Sequence, residues 1–129
     1  MYTALVVEDD PDWQDPIVEI LSQMECKATI ASTYNEAREA LAGPPFDLIV
    51  ADINLVPHST GNVDGARFIH YLEETKRIIP VIIVSGTFPP QDLSRLPGRI
   101  IDIIKKQEFT SERFVRDVKQ SLNFPLIAL

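Results

Sequence analysis

The run Leu48-Ile49-Val50-Ala51-Asp52 has the length of a β-strand and ends on a carboxylate. Three further runs of similar length, rich in valine and isoleucine, occupy residues 4–7, 81–84 and 100–104. Continuous apolar runs of this kind are typical of strands that are buried on both faces of a parallel sheet. Residues 26–31 alternate more between polar and apolar side chains, which predicts a fifth strand nearer an edge.

Apolar residues at helical spacing predict a first helix, with an inward face formed by Ile17, Ile20, Leu21 and Met24. Its start is open between Pro11 and Pro16, because each follows an aspartate that can serve as the N-cap. If the helix starts at Pro11, Pro16 falls inside it and should disturb its first turns. Thr33 and Glu36 form a capping box that opens a short second helix to about Ala42.

The second half of the chain predicts a third helix over residues 63–76 and a last helix over residues 110–122. The inward side chains should be Ala66, Ile69 and Leu72 in the third helix and Phe114, Val115, Val118 and Leu122 in the last. Residues 86–99 contain three prolines, so a fourth helix should be short or irregular.

The order of elements is therefore a strand followed by a helix, repeated five times. This alternation predicts the α/β class, with a doubly wound parallel sheet of five strands, helices on both faces and right-handed crossovers. In such sheets, ligands bind at the carboxyl ends of the strands.

The composition is that of a single domain spanning residues 1–129. A net charge of −7 disfavours binding to nucleic acid or to an anionic membrane. Cys26 is the one cysteine, which suits a reducing compartment, and the N-terminus has no pattern of a signal peptide or membrane span, so we expect a cytoplasmic protein. The apolar tail 123–129 leaves open whether it folds onto the domain, packs in a dimer or marks a cut from a longer protein.

Reactive side chains follow the apolar runs: Glu8-Asp9 the first, Asp52 the central one, Ser85-Gly86 the next and Lys105-Lys106 the last. Converging carboxylates raise one another's pKa, which a hard cation such as Mg²⁺ relieves. Mg²⁺ also favours phosphate oxygens, which Ser85 and Lys105 can hold. In this setting Asp52 can act as a nucleophile and form an aspartyl phosphate. Gly86 is a candidate binding position, because the missing side chain keeps the approach to Asp52 open.

Each feature alone has an ordinary explanation. Acids after a strand commonly cap a helix, as Asp10 is best explained, and a serine-glycine pair or a lysine after a strand is commonly a solvated turn. These explanations need a coincidence at four strand ends. The joint occurrence therefore favours a metal-assisted phosphoryl site.

Four motifs together resemble the receiver domains of two-component response regulators, over essentially the whole chain. They are LVVEDDP at residues 5–11, DLIVADIN at 47–54, PVIIVSG at 80–86 and IIK at 103–105. The resemblance implies a flavodoxin-like fold with strand order 2-1-3-4-5.

The resemblance also implies roles for the matching residues. The ligands of Mg²⁺ would be Glu8, Asp9, Asp52 and the backbone carbonyl of Asn54. Asp52 would be the phospho-acceptor, Ser85 would turn toward the phosphoryl group, and Lys105 would contact it. The donor would be a histidine kinase or a histidine phosphotransfer protein. Such a chain catalyses its own phosphorylation and dephosphorylation without turning over a small molecule.

The chain departs from the family pattern at three places. Lys106 stands where the family usually has a proline, which leaves the customary cis peptide in question and a second register open. We prefer Lys105 as the phosphate contact and keep Lys106 as the alternative. Asp102 stands where a switching aromatic is common, and we interpret it as an exposed residue of an edge strand. The loop 55–62 is longer than usual, and His58 within it is interpreted as solvated.

Two other functions are open. A receiver-like docking module that acts without phosphorylation is motivated by Lys106, Asp102 and the longer loop. A phosphohydrolase with an aspartyl nucleophile usually carries a second aspartate two residues later, where this chain has Asn54. The output partner stays unknown, and a homodimer is compatible with the sequence.

Overall fold

A computed structural model describes residues 1–52, 68, 71–72, 78–86 and 100–122. Five parallel strands form one sheet in the order β2-β1-β3-β4-β5. The strands are β1 (Tyr2–Val7), β2 (Cys26–Ala31), β3 (Leu48–Ala51), β4 (Val81–Ser85) and β5 (Ile100–Lys105). The predicted doubly wound sheet with order 2-1-3-4-5 is confirmed, with β3 at its centre between β1 and β4.

Three helices have bounds within the described residues: α1 (Pro11–Gln23), α2 (Tyr34–Leu41) and α3 (Ser111–Leu122). A 3₁₀ turn, Lys106–Glu108, connects β5 toward α3. Between β3 and β4, Phe68, Tyr71 and Leu72 are helical, as the predicted third helix requires. The rest of that helix, the predicted irregular segment after Gly86 and the apolar tail lie outside the described residues. None of the described helices is long and apolar enough to cross a membrane.

The open question about the start of α1 is settled in favour of Pro11. Asp10 adopts an extended conformation and its side chain accepts the backbone N–H of Asp12 at 2.9 Å, which is the geometry of an N-cap. Pro16 therefore lies inside the helix and has no N–H to donate to the preceding turn. The helix nevertheless continues to Gln23, because Ile17 and Leu21 are buried against the sheet.

Each face of the sheet packs an apolar layer, since successive side chains of a strand point to opposite sides. One layer is built around Leu5, Val7, Ile49, Ala37, Leu41, Phe68 and Leu72. The other is built around Ala4, Val6, Leu48, Ile17, Leu21, Phe114 and Val118. Burying a side chain of this size contributes roughly 1.5–3 kcal/mol, so the two layers determine how the helices dock.

Strand β5 corrects the prediction that all four valine- and isoleucine-rich runs are buried on both faces. Only Ile104 of this strand is fully buried, and Ile103 is 37% exposed, because β5 forms an edge of the sheet. The pairing of β4 with β5 also shifts register between Val81 and Ile82. One additional residue of β5 is used at this bulge, so Ser85 pairs with Lys105.

Candidate functional site

Three carboxylates meet where β1 and β3 end. Glu8 and Asp9 follow β1, Asp52 follows β3, and one oxygen from each side chain lies within 4.8 Å of the others. Glu8 and Asp52 are only 2% and 5% exposed, whereas Asp9 is exposed. The predicted convergence of these acids at the carboxyl edge of the sheet is therefore present.

The backbone on both sides of Asp52 is held by its neighbours. Its N–H donates to the carbonyl of Val7 at 2.8 Å, which extends the pairing of β3 with β1 by one residue. The hydroxyl of Tyr34, the first residue of α2, donates to the carbonyl of Asp52 at 2.9 Å. The Tyr34 ring in turn stacks on Phe68 at 5.3 Å. Asp52 is thus positioned by the sheet and by α2 together.

Glu8 is held by the beginning of α1. One of its carboxylate oxygens, Oε2, accepts the N–H of Asp10 at 3.1 Å. The side-chain amide of Gln14 donates to the carbonyl of Glu8 at 2.6 Å. The first contact holds the carboxylate of Glu8, and the second holds its backbone carbonyl.

Lys106 supplies the ammonium group of the site. Its Nζ lies 2.9 Å from Glu8 Oε1 and 3.0 Å from Asp52 Oδ2, and its side chain is only 17% exposed. The sequence left Lys105 and Lys106 open and favoured Lys105, which instead ends β5 opposite Ser85. The bulge in β5 explains the difference. It uses one additional residue of β5, so Lys105 still pairs with Ser85 and Lys106 is the first residue after the paired part of the strand.

Burial and charge set the protonation of this pair. Burial raises the pKa of Glu8, Asp52 raises it further, and the hydrogen bond from Lys106 offsets this only in part. Burial on its own would lower the pKa of Lys106, but its hydrogen bonds to Glu8 and Asp52 outweigh burial and raise it. The ammonium therefore stays charged at neutral pH.

The donor set fits a hard divalent cation. Three carboxylates and one ammonium carry a formal charge of −2 in total, which one Mg²⁺ would neutralise. Carboxylate oxygens are the protein ligands that Mg²⁺ prefers, and the ion keeps several waters. The exposed Asp9 gives the cluster an open side toward solvent. Asn54, the fourth predicted ligand, lies outside the described residues, as does His58.

Ser85 and Gly86 follow the same edge of the sheet. Ser85 ends β4, next to β3, and is 1% exposed. A methyl group placed on Gly86 would lie 3.9 Å from Cδ of Lys106, which is an ordinary van der Waals contact. Only a side chain longer than that of alanine would therefore press on Lys106. The side chain that lies next to Gly86 is therefore the aliphatic part of Lys106.

Two aromatic residues of the site were missed in the sequence. Lys106 Nζ lies 5.2 Å from the centre of the Trp13 ring, and Tyr34 holds the backbone of Asp52. Trp13 precedes Ile17 by four residues, so its place on the inward face of α1 was readable from helical spacing. Tyr34 directly follows the Thr33 cap, but nothing in the local sequence indicates which strand its hydroxyl reaches.

A separate pair of acids, Asp102 and Asp117, lies between β5 and α3. Arg113 binds Asp102 with two hydrogen bonds, Nε to Oδ2 at 2.8 Å and a terminal nitrogen to Oδ1 at 2.9 Å. This contact lowers the pKa of Asp102 to about 2. The interpretation of Asp102 as an exposed edge residue is therefore wrong, since its side chain is 19% exposed and ion-paired.

Asp117 of α3 is the other acid of this pair and is 2% exposed. Its Oδ2 receives no hydrogen bond from a donor in the described part of the chain. Burial, followed by the adjacent Asp102, raises the pKa of Asp117 to about 6. When Asp117 is protonated, its carboxyl group can donate to Asp102, which gives the buried Oδ2 a hydrogen-bond partner.

The sheet and the acids together define an α/β domain with a metal-compatible acidic site at the carboxyl edge of its central strands. The chain belongs to the response regulator receiver domain family, whose model matches residues 4–118. Receiver domains bind Mg²⁺ at an acidic pocket, and this chain has an acidic cluster formed by Glu8, Asp9 and Asp52. Membership also implies, in general terms, a histidine kinase or phosphotransfer protein as partner.

The response regulator protein PilR of Pseudomonas aeruginosa is 32% identical over 83 residues, which are 64% of this chain and 18% of that protein. The chain thus matches less than a fifth of the length of this relative.

Two solved structures support the fold alone. One is the N-terminal domain of a response regulator/sensory box/GGDEF three-domain protein from Carboxydothermus hydrogenoformans, with a TM-score of 0.77, 22% identity and 98% of both chains covered. The other is the non-phosphorylated HemR receiver domain from Leptospira biflexa, with a TM-score of 0.76 and 23% identity, covering 95% of this chain and 94% of that one.

Proposed function

We propose that this chain is a phospho-acceptor receiver domain in which Asp52 takes a phosphoryl group from a phospho-histidine. The observation that carries the proposal is the convergence of Glu8, Asp9 and Asp52 with the ammonium of Lys106 at one edge of the sheet. The donor is a histidine kinase or a histidine phosphotransfer protein. The product changes a protein-interaction surface whose partner is still to be identified, and the function belongs to the cytoplasm.

Glu8, Asp9 and Asp52, with the Asn54 carbonyl, would hold Mg²⁺, which supplies neutralisation of the charge on the phosphoryl oxygens. The Asp52 carboxylate forms the new oxygen–phosphorus bond while the nitrogen–phosphorus bond of the donor breaks. The donor imidazole keeps that electron pair and takes up a proton. Because such transfer needs mostly positioning and charge compensation, the fixed backbone of Asp52 is a direct contribution to it.

Lys106 exchanges partners in this reaction. Before transfer its ammonium bridges Glu8 and Asp52. Once Asp52 carries a phosphoryl group, the ammonium pairs with a phosphoryl oxygen, because the acylated carboxyl group of Asp52 no longer carries a charge. Ser85, at the end of the adjacent β4, donates its hydroxyl to a second phosphoryl oxygen. Lys105 is the alternative residue for the contact with the phosphoryl group, and substituting each lysine by methionine distinguishes the two.

The test is incubation with Mg²⁺ and acetyl phosphate, followed by intact mass measurement. We expect one phosphoryl adduct in the wild type, no adduct in Asp52→Asn, and no adduct when Mg²⁺ is removed with a chelator. An adduct that persists in Asp52→Asn would place the acceptor elsewhere. A wild type that stays unmodified under these conditions would argue against the proposal as a whole.

A further inference from the structure

An aromatic stack leads from the lysine of the site into α3. The Trp13 ring lies edge-on to Phe109, with ring centres 5.3 Å apart and planes at 87°. Phe109 contacts Phe114, which is fully buried in α3, at 5.4 Å. Lys106 Nζ lies 5.2 Å from the centre of Trp13 while it also binds Glu8 and Asp52. One ammonium therefore joins the acid cluster to the aromatic stack.

The position of Trp13 is itself tied to the acid cluster. Trp13 lies in the first turn of α1, and its backbone N–H donates to the carbonyl of Asp10, the N-cap residue. The next residue, Gln14, holds the carbonyl of Glu8. The indole is half-buried against the core layer that contains Phe114. The ring that faces Lys106 is thus placed by the same turn that orients Glu8.

We propose that Trp13 is a positioning residue for Lys106, and that the stack formed by Trp13, Phe109 and Phe114 passes the movement of Lys106 to α3. The proposal rests on the function proposed above. A cation over an indole face is attracted by the electron density of the ring, and this attraction strengthens when water is excluded. The indole therefore restricts the ammonium to the region above the carboxylates, where an incoming phosphoryl group meets it.

The route to α3 follows from chain connectivity. Lys106 is the first residue of the 3₁₀ turn, and Phe109 directly follows that turn. When the ammonium leaves Glu8 for a phosphoryl oxygen, the turn and Phe109 are displaced relative to Trp13. Because Phe114 packs on Phe109, the N-terminal part of α3 receives the displacement. This route uses no aromatic residue within β5.

The first test compares phosphorylation rates at a subsaturating acetyl phosphate concentration. Trp13→Leu removes the π face and keeps an apolar side chain, and we expect a rate roughly 3- to 10-fold lower, since a cation–π contact contributes about 1 kcal/mol. Trp13→Phe keeps a weaker π face and should stay within about 2-fold of the wild type. Ile20→Ala is the matched control, because Ile20 is half-buried on the same helix and in the same core layer.

The second test uses the emission of Trp13, which is the single tryptophan of the chain. We expect the emission to change when Mg²⁺ alone is added, and again when acetyl phosphate follows. In Lys106→Met the emission without Mg²⁺ should already differ from that of the wild type, and the response to Mg²⁺ should be lost. The response of the emission to Mg²⁺ does not depend on whether the protein accepts a phosphoryl group.

The outcomes separate the two proposals. The role of Trp13 alone would be overturned by two results together: the wild type forms the adduct but its emission does not respond to Mg²⁺, and Trp13→Leu reacts as fast as Ile20→Ala. An emission that responds to Mg²⁺ through Lys106 in a protein that never forms an adduct would support the positioning role and contradict the phospho-acceptor function. Equal slowing in Trp13→Leu, Trp13→Phe and Ile20→Ala would assign the effect to stability, and the role of Trp13 would be rejected.

Discussion

Two clusters of carboxylates in the described part of the chain differ in how their charge is balanced. At the carboxyl edge of the sheet, three acids share one lysine, which leaves a formal charge of −2. Between β5 and α3, Asp102 and Asp117 contact Arg113 and Arg116, so the formal charges cancel. The first cluster has one member open to solvent, whereas both acids of the second are largely buried.

The difference shows which kind of charge pairing leaves room for a ligand. Arg113 binds Asp102 through a planar contact of two hydrogen bonds. Burial and the neighbouring Asp102 raise the pKa of Asp117 to about 6, so Asp117 takes up a proton at a higher pH than an ordinary aspartate does. Lys106 is a single point charge on a flexible stem, and it can move from one acceptor to another. A closed arginine pair stabilises the docking of α3, while an underneutralised acid cluster with a lysine is suited to take up a cation and a phosphoryl group.

The largest effect on the rate of phosphorylation is expected from removing the ammonium group of Lys106. Lys106→Met should slow phosphorylation by acetyl phosphate on the order of 10²-fold, comparable to the loss of one donor that stabilises developing charge. Lys105→Met should have a much smaller effect, because Lys106 is the residue that reaches Asp52 and Glu8. Stopped-time intact mass measurement gives both rates. A larger loss in the Lys105 variant would return the phosphate contact to the register favoured by the sequence.

A smaller effect, with a defined pH dependence, is expected at Asp117. Its pKa rises from 3.8 to about 6 on folding, so the native state holds the proton more tightly and loses stability as the pH rises through this range. Asp117→Asn keeps a donor toward Asp102 and cannot ionise. We expect it to raise the free energy of unfolding by about 2 kcal/mol at pH 8 and to have little effect below about pH 4.

Urea titrations at the two pH values measure this difference. Ser121→Ala serves as a control, because its hydroxyl donates to the backbone carbonyl of Asp117 and does not contact the carboxyl group. A stabilisation by Asp117→Asn that is equal at both pH values would mean that folding does not raise the pKa of Asp117.

Removing the two hydrogen bonds between Arg113 and Asp102 should have the next smaller effect. Arg113→Met should lower the free energy of unfolding by about 1 kcal/mol at pH 7, because Asp102 loses both hydrogen bonds from a half-exposed guanidinium. The pKa of Asp102 is depressed from 3.8 to about 2, so this contribution is present above pH 3.8 and disappears as the pH falls toward 2.

The smallest change is expected for Arg116→Met, the matched substitution on the same helix. Arg116 is 69% exposed and its contacts with Asp117 and Asp102 are 3.5 Å and 3.9 Å. Its loss should stay within about 0.5 kcal/mol. If urea titration gives equal losses for Arg113→Met and Arg116→Met, the two-pronged contact of Arg113 is not what distinguishes this cluster.

Much of the fold follows from local patterns in the chain. The strand runs, the inward face of α1 and the Thr33 cap were all predicted correctly, because periodicity and capping depend on neighbouring residues. The start of α1 stayed open, since two aspartate-proline pairs offer equivalent caps. It was decided by the Asp10 cap and by tertiary contacts of the first turn, where Gln14 donates to the carbonyl of Glu8 and Trp13 packs against the core.

The sequence by itself determined which acids end the central strands, because Glu8, Asp9 and Asp52 directly follow apolar runs whose order dictates a parallel sheet. Only the tertiary structure decided which lysine joins them, because the bulge between β4 and β5 is a property of strand pairing and shifts the chain by one residue. The same holds for Trp13 over Lys106 and for Arg113 on Asp102. These contacts join residues that are distant in the chain, and no local pattern encodes their distance.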